Sequence, residues 1–377
     1  MFHLKKRQAG LLKSWLAYHF PIVRTLWKKK KDKDIPLEPA EKIRLHFDAK
    51  DMPQVGLVEE MRGRGLLSFW PKYQRFLENS AIPYKMIYMD RSDWMEQIKG
   101  LDILIWRTPA SPASLKAAKD KMYAIEEYYG ITTIPSYRDL WLYEEKINQY
   151  YTLKTLGLPV VETFISHDQE EILAHLQEIE YPVVWKTNQG FCSLGVFLLK
   201  NKRQANRLVR KVFGKGLNTF WGYHKQKNYV YLQKYVKDCG KDIRIVAIGE
   251  YYFGLLREPD KGDFRASGAG HLLWGAMPED ALQLAREVQH RLKADSIVVD
   301  MIRCPKTQKL GIIETSLFIG AVSQVGLMID GKPGCYQYQD GLFEFKEGCF
   351  WIQELTVMEK FKSWAKAKNI SYQTVIE

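Results

Sequence analysis

Residues 181–199 read YPVVWKTNQGFCSLGVFLL, two apolar runs separated by a loop of small and polar residues. The first run, Tyr181 to Lys186, predicts a strand with a lysine at its end, and Val196 to Leu199 predicts the next strand. Glycines let backbone N–H groups approach phosphate oxygens closely, so the loop suits phosphate binding, although a structural hairpin explains it equally well. It is not a Walker A loop, because Val196 and Phe197 occupy positions that require Lys and Ser or Thr.

Further segments follow this loop in an order that indicates chemistry. They are the predicted strands Tyr229–Val236 and Asp242–Gly249, the glycine-rich loop Gly262–Gly270, and the strands Ile297–Asp300 and Gly311–Glu314. The last two are expected to end on the carboxylates Asp300 and Glu314. Two carboxylates on neighbouring strand ends, beside a phosphate-binding loop, predict a site for Mg²⁺ that bridges phosphates. Either carboxylate alone would be explained as part of a buried ion pair.

The ordered set resembles the ATP-grasp superfamily, most closely its glutathione-synthetase-like and RimK-like carboxylate–amine ligases, from about Lys146 to about Gly320. The resemblance implies an α/β (α+β) ATP-grasp fold, preceded by a parallel α/β domain. It also implies an enzyme that uses ATP and Mg²⁺, with Mn²⁺ as the alternative metal. Such an enzyme activates a substrate carboxylate as an acyl phosphate, joins it to an amine or another nucleophile, and releases ADP.

The resemblance assigns roles to individual residues. The implied ATP contacts are Lys146, Lys186, Gln189, Gly190, Ser193, Gly195, Gln233, Lys234, Val236 and Asp242. Within this set the lysines hold the phosphates, with Lys186 also near the adenine, and the 189–195 loop closes over the β- and γ-phosphates. The backbone at 233–236 reads the adenine, and Asp242 contacts the ribose. The implied catalytic arginines are Arg244 and Arg265, and the implied metal ligands are Asp300, Glu314 and Ser316.

Two positions depart from the family pattern and leave alternatives open. Ser316 stands where the family usually has Asn, so the second metal position is in doubt. Lys234 stands where relatives often carry Glu, which leaves the adenine to backbone contacts. The alternatives to a ligase are an ATP-grasp phosphotransferase and a non-catalytic nucleotide-binding scaffold. Arg257 is a further candidate for binding the substrate carboxylate.

Residues 40–140 alternate short apolar strands with amphipathic helices, which predicts a parallel α/β sheet. The predicted strands and helices are Val55–Val58, Phe69–Asn79, Tyr84–Met89, Leu101–Trp106, Ser114–Tyr129 and a short strand near Thr132. Arg107 follows one of these strands and is a candidate to face a substrate, because ligands bind beyond the carboxyl ends of strands in open sheets. A surface ion pair explains Arg107 at least as well.

The net charge of +12 is concentrated at the N-terminus, because residues 1–31 carry nine Lys or Arg and no Asp or Glu. With its apolar residues at helical spacing, residues 1–34 predict a helix on an anionic membrane surface; a solvated tail or a helix packed on the body are the alternatives. Membrane contact would point to a cell-surface glycan or lipid-linked precursor as the substrate. A basic tail without a recognisable DNA- or RNA-binding motif predicts no nucleic-acid partner.

Composition and the segment boundaries predict the cellular location and the domain organisation. Five cysteines without a CxxC pair favour reduced thiols, and no apolar run of membrane-spanning length occurs, so a cytoplasmic protein, peripheral at the inner membrane surface, is expected. The expected divisions are 1–34, a pre-ATP-grasp domain at 40–140, an ATP-grasp domain of two subdomains at 141–330 with ATP between them, and an extension at 331–377. The sequence determines neither the substrates nor the oligomeric state.

Overall fold

The computed structural model describes residues 39–59, 68–190, 193, 195–316 and 323–377. Its α-helices are α1 (Trp70–Asn79), α2 (Trp94–Gln97), α3 (Pro112–Tyr129), α4 (Tyr137–Leu142), α5 (Lys146–Thr155), α6 (Gln169–Glu178), α7 (Lys202–Phe213), α8 (Glu279–Leu292) and α9 (Ile352–Ala367). The strands are β1 (Ile43–Phe47), β2 (Val55–Val58), β3 (Tyr84–Ile87), β4 (Ile103–Ile105), β5 (Thr132–Ile134), β6 (Thr163–Ser166), β7 (Val183–Lys186), β8 (Val196–Leu199), β9 (Leu217–Asn218), β10 (Lys225–Gln226), β11 (Val230–Lys234), β12 (Asp242–Ile248), β13 (Tyr251–Glu258), β14 (His271–Leu273), β15 (Ser296–Arg303), β16 (Leu310–Ser316), β17 (Met328–Ile329), β18 (Lys332–Gln339), β19 (Leu342–Glu347) and β20 (Tyr372–Ile376).

The first sheet has the strand order β3-β2-β4-β5, and all of its pairs are parallel. The predicted parallel α/β arrangement is therefore confirmed. Parallel strands are buried on both faces, which explains their continuous apolar sequences. The residues of β2 are all buried. Ile125 of α3 packs with Val58 and Leu104 of this sheet, and the other buried residues of α3 pack against Leu140 of α4.

The second sheet is antiparallel, with the order β6-β11-β7-β8, and α6 and α7 pack against one of its faces. Because side chains alternate along a strand, β7 directs Val183 and Trp185 towards the helices. Val184 and Lys186 therefore lie on the opposite face. This alternation turns Lys186 away from the core and towards the rest of the protein.

The third sheet contains the path β16-β15-β12-β13-β18-β17, and β14 and β19 pair with β13 and β18. Its central strand β12 pairs with both β13 and β15, and α8 packs against it with buried Ala281, Ala285 and Val288. The strands β18 and β19, residues 332–347, thus extend a sheet that begins with β12.

The two ends of the described chain meet. Strand β1 pairs antiparallel with β20, and α9 packs against α1 through the edge-to-face ring pair Phe76 and Phe361. The buried ammonium of Lys360 in α9 lies 2.7 Å from Asp139 and 2.9 Å from Asp295. The C-terminal helix is therefore anchored both to the first sheet's side of the protein and to the third sheet.

One expectation about strand ends is wrong, and one about the N-terminus lies outside the described residues. Asp300 and Glu314 do not end their strands, because β15 continues to Arg303 and β16 to Ser316; they lie opposite each other within the ladder, at a register shift after Asp300. The predicted membrane-binding segment 1–34 lies outside the described residues. Within the described ranges, no helix combines the length and apolar character needed to cross a bilayer.

Candidate functional site

The second sheet meets the third at the end of β7. The Nζ of Lys186, at the end of β7, donates to the backbone carbonyl of Ile313 in β16 at 3.2 Å. The segment before β6 holds the same strand, since the N–H of Val161 donates to the carbonyl of Ile312 at 2.9 Å. β7 and β16, which are far apart in sequence, are therefore in contact through the side chain of Lys186 and the backbone of Ile313.

Four buried or half-buried charged side chains, Glu144, Lys146, Lys186 and Glu314, form what we call the lysine cluster. Lys146 begins α5, and its Nζ lies 3.1 Å from Oε1 of Glu314 and 2.8 Å from the carbonyl of Gly190. Lys146 and Lys186 are 3% and 6% exposed, whereas the side chain of Glu314 is 29% exposed. The cluster thus contains two buried cations and one carboxylate that solvent can reach.

Burial changes the acidity of this cluster. It lowers the pKa of Lys186 to about 8, an effect to which the charge of Lys146 adds. Burial also raises the pKa of Glu144 to about 7, while nearby Lys146 and the backbone of Gly190 oppose that rise. The Oε2 of Glu144 and the Oε1 of Gln189 are buried and have no hydrogen-bond partner among the residues that the structure describes. Near pH 7 the cluster therefore carries excess positive charge and has polar atoms left to satisfy.

The 187–195 loop is held to the start of α5. Glu145 accepts hydrogen bonds from the side-chain amides of Asn188 and Gln189 at 2.6 and 2.9 Å. Gly195 has φ +79°, and a Cβ there would lie 2.0 Å from the Oγ1 of Thr187, so only glycine fits this close approach. The loop is thus shaped by its glycine and fixed beside Lys146.

The second glycine-rich loop reaches the first. The Oγ of Ser193 donates to the carbonyl of Ser267 at 2.8 Å. Arg265 is half-buried; its Nη2 donates to Asp263 at 2.8 Å and its Nη1 to the carbonyl of Val196 at 3.3 Å. Arg265 therefore stands beside Val196, which directly follows the 187–195 loop.

A second group, which we call the arginine cluster, consists of Asp242, Arg244, Arg257 and Asp300. Arg244 donates from Nε and Nη2 to the two oxygens of Asp300 at 2.8 and 2.7 Å. Arg257 donates to both oxygens of Asp242 at 2.6 and 2.8 Å and lies 3.0 Å from Asp300. Burial alone would raise the pKa of Asp300, but the two guanidinium groups hold it well below its usual range. The two carboxylates and two guanidinium groups compensate one another.

The predicted adenine and ribose contacts lie on β11, just after it, and at the start of β12. Gln233 is buried and donates to the Oγ1 of Thr163 at 3.3 Å. Lys234 is exposed and paired with Glu162 at 3.0 Å, and Val236 follows the end of β11. The carboxylate of Asp242 points into the arginine cluster.

The donor set for a metal is small. Within the described ranges, no three His, Cys, Asp or Glu side chains are grouped closely enough to hold a metal ion. Mg²⁺ commonly binds one or two carboxylates together with substrate phosphates and water. Glu314 is accessible, the Oδ1 of Asp300 accepts one hydrogen bond and keeps a second lone pair, and Ser316 lies on the same strand face as Glu314. These oxygen donors fit Mg²⁺ bound jointly with a phosphate.

Sequence reasoning missed Glu144 and Glu145, which immediately precede α5. Neither stands in a recognisable spacing pattern, because their importance comes from burial and from loop contacts. Arg257, a sequence candidate for binding a substrate carboxylate, has its guanidinium engaged by Asp242 and Asp300. Arg107 stacks on the ring of Phe69, with 4.6 Å from its guanidinium carbon to the ring centre.

Comparison with known proteins gives a consistent result. A family model described as a RimK-like ATP-grasp domain matches residues 144–320. N-acetylaspartylglutamate synthase A of Mus musculus is 30% identical over 169 residues, which cover 41% of this chain and 40% of that protein. A probable alpha-L-glutamate ligase of Nitrosococcus oceani is 26% identical over 202 residues, covering 52% of this chain and 62% of that protein. The chain therefore spans less than two thirds of these curated relatives.

Among solved structures, D-alanine–D-alanine ligase from Bacillus anthracis superposes with a TM-score of 0.50 at 15% sequence identity. The superposition covers 71% of this chain and 88% of that one. At this identity the likeness establishes the fold alone. Together with the family model, it confirms the predicted fold class.

Proposed function

We propose, because residues 144–320 match a family model of a RimK-like ATP-grasp domain, that this protein is an ATP-dependent, ADP-forming carboxylate–amine ligase. The observation that carries the proposal is the lysine cluster, in which two buried ammonium groups meet an accessible carboxylate between two sheets. An ammonium has three hydrogen-bond donors, and among the described residues Lys186 uses one of them, in its bond to the carbonyl of Ile313. A polyphosphate would supply the missing acceptors and the missing negative charge.

The nucleotide would lie between the two subdomains of residues 141–330, where the second sheet meets the third. Lys146 and Lys186 would hold its phosphates, and the loop from Gln189 to Gly195 would cover them. The backbone from Gln233 to Val236 would hold the adenine. Asp242 would reach the ribose only by sharing its carboxylate with Arg257. Mg²⁺, held by Glu314 with Asp300 and Ser316, would neutralise phosphate oxygens when bound.

The reaction proceeds in two steps. A substrate carboxylate oxygen attacks the γ-phosphorus, the bond to the β–γ bridging oxygen breaks, and ADP leaves with that electron pair. Arg265 stabilises the charge on the transferring phosphoryl group, and the lysine cluster stabilises the charge that develops on ADP. An amine then attacks the acyl carbon, the bond to the phosphate oxygen breaks, and the amine proton is lost to phosphate or water. The loop around Ser193 would keep water from the acyl phosphate.

A binding experiment tests the nucleotide site without knowledge of the substrates. Mg-ATP is titrated by calorimetry into the wild type, Lys186→Ala and Glu314→Ala, with the exposed Lys154→Ala as the matched control. Loss of a charge-assisted hydrogen bond in a buried site is expected to weaken binding about 100-fold in the first two variants. Lys154→Ala should bind like the wild type. A folded wild type that does not bind Mg-ATP would refute the proposal.

A trapping experiment tests the reaction class. Hydroxylamine replaces the amine and converts an acyl phosphate into a stable hydroxamate, so candidate carboxylates are screened for hydroxamate formation together with ADP. The names of the two relatives make glutamate-class amino acids and N-acylated acidic amino acids the first substrates to screen. ADP release with a stable phosphorylated product and no hydroxamate would instead indicate a phosphotransferase.

A further inference from the structure

One stretch of the chain is markedly basic outside the N-terminal tail. From residue 181 to residue 237 the sequence contains twelve Lys or Arg and no Asp or Glu. The exposed ones are Lys200, Lys202, Arg203, Arg207, Arg210, Lys211, Lys215, Lys225, Lys227, Lys234 and Lys237. Within the part of the chain that the structure describes, only Lys234 of these forms an ion pair, with Glu162. The nucleotide site uses none of those on α7.

The basic residues of α7 are ordered by the helix. Ala205, Val209 and Val212 face the second sheet and are fully buried. Arg203, Arg207 and Arg210 have the same spacing of four and three residues on the outer side, so they form a row along the exposed face. We call this row the arginine row. A rise of about 1.5 Å per residue places its first two members about 6 Å apart along the axis.

The neighbouring helix α6 limits what can bind there. It packs beside α7, and its exposed residues and flanks are acidic: Asp168, Glu170, Glu171, Glu178 and Glu180. The arginine row is therefore a strip bordered by carboxylates on its α6 side, on a helix roughly 10 Å wide. A flat anionic bilayer or a nucleic-acid duplex would press its own charges against these carboxylates. A single polypeptide is narrow enough to follow the strip.

We propose that the arginine row of α7 is a docking surface for an acidic polypeptide segment. Guanidinium groups bind carboxylates bidentately, which favours arginine over lysine at such a site. Alternate residues of an extended chain are about 6.6 Å apart, close to the spacing of Arg203 and Arg207. The row lies on the face of the second sheet opposite Lys186, so the proposal does not depend on the nucleotide site.

The test uses the full chain and fluorescein-labelled octaglutamate as the probe, with octaglutamine as the uncharged control. The variant R203Q/R207Q/R210Q removes the row, while K85Q/K306Q/K366Q removes three exposed charges elsewhere. The cap of α7, where Asn201 accepts from the N–H of Gln204 at 3.0 Å, and its buried face are unchanged, so both variants should melt like the wild type.

Anisotropy titrations should show binding of octaglutamate that weakens with added salt. Loss of three charge contacts should weaken it about tenfold in the row variant, with no comparable change in the control variant. Equal affinity of the row variant and the wild type would overturn the proposal, as would no binding by the wild type. Row-dependent binding to phosphatidylserine vesicles or to duplex DNA, without binding to octaglutamate, would also overturn it.

Discussion

The arginine cluster and the lysine cluster meet where Asp300 of β15 pairs with Glu314 of β16, but their buried charges are compensated to different extents. In the arginine cluster, Asp242 and Asp300 are matched by two guanidinium groups that hydrogen-bond to every carboxylate oxygen. In the lysine cluster, Lys186 contacts a carbonyl, and Glu144 has an oxygen without a hydrogen-bond partner among the described residues. The charges of the first cluster balance one another, whereas the second carries excess positive charge that the proposed nucleotide would balance.

This comparison predicts opposite effects on stability, and the largest is in the arginine cluster. Arg257→Met removes a buried partner of Asp242 and Asp300 and should lower the free energy of unfolding by about 3–5 kcal/mol, because uncompensated carboxylates remain buried. The control is Arg303→Met, whose pair with Asp280 at 2.7 Å is partly exposed and should contribute less than about 1 kcal/mol. Urea unfolding measures both, and equal losses would contradict the distinction.

In the lysine cluster, removal of a buried charge should stabilise the free protein. The pKa of Lys186 is lowered from 10.5 to about 8, so the unfolded chain binds the proton more tightly than the folded protein does. This cost is fully present below pH 8 and disappears as the pH rises towards 10.5. Lys186→Met should therefore raise the free energy of unfolding at pH 7 by as much as about 3 kcal/mol.

The matched control for that variant is Lys360→Met. Lys360 is also largely buried but is paired with Asp139 and Asp295, so its removal should destabilise the protein. Thermal melts of the two variants at pH 7 should shift in opposite directions. A loss of stability in Lys186→Met as large as that in Lys360→Met would show that Lys186 is already compensated.

The smallest predicted effect concerns Glu144 and depends on pH. Its pKa is raised from 4.5 to about 7, so the folded protein binds this proton more tightly than the unfolded chain. Ionisation therefore begins to cost stability above pH 4.5, and the cost is complete near pH 7. Glu144→Gln should leave stability nearly unchanged at pH 4 and raise it by about 2 kcal/mol at pH 8. Urea unfolding at both pH values tests this, and a gain that does not depend on pH would contradict it.

Much of the fold follows from local patterns. The apolar runs at 55–58 and 196–199 became strands with the predicted bounds, and the pattern over 69–79 became the helix α1. The expected strand ends at Asp300 and Glu314 were wrong, because the ladder between β15 and β16 extends past both carboxylates. Where a strand stops depends on its neighbour, which the periodicity of one segment does not contain.

The residues of the candidate site also divide into those that the sequence predicts and those that only the structure shows. The sequence supplied Lys146, Lys186, the glycine-rich loops and Glu314, because such chemistry requires particular residue types in a particular order. It did not supply Glu144, whose raised pKa comes from burial. The arginine row could have been found by counting charges within the body of the chain rather than over its whole length.

The sequence by itself determined the order of strands and helices and the residue types available for phosphate and metal binding, since these depend on periodicity and on side-chain chemistry. Only the tertiary structure decided that Arg244 and Arg257 compensate Asp300, that Lys186 is buried against the carbonyl of Ile313, and that the C-terminal strands join the third sheet and β1. Charge compensation and strand pairing depend on residues far apart in sequence, which become neighbours only when the chain folds.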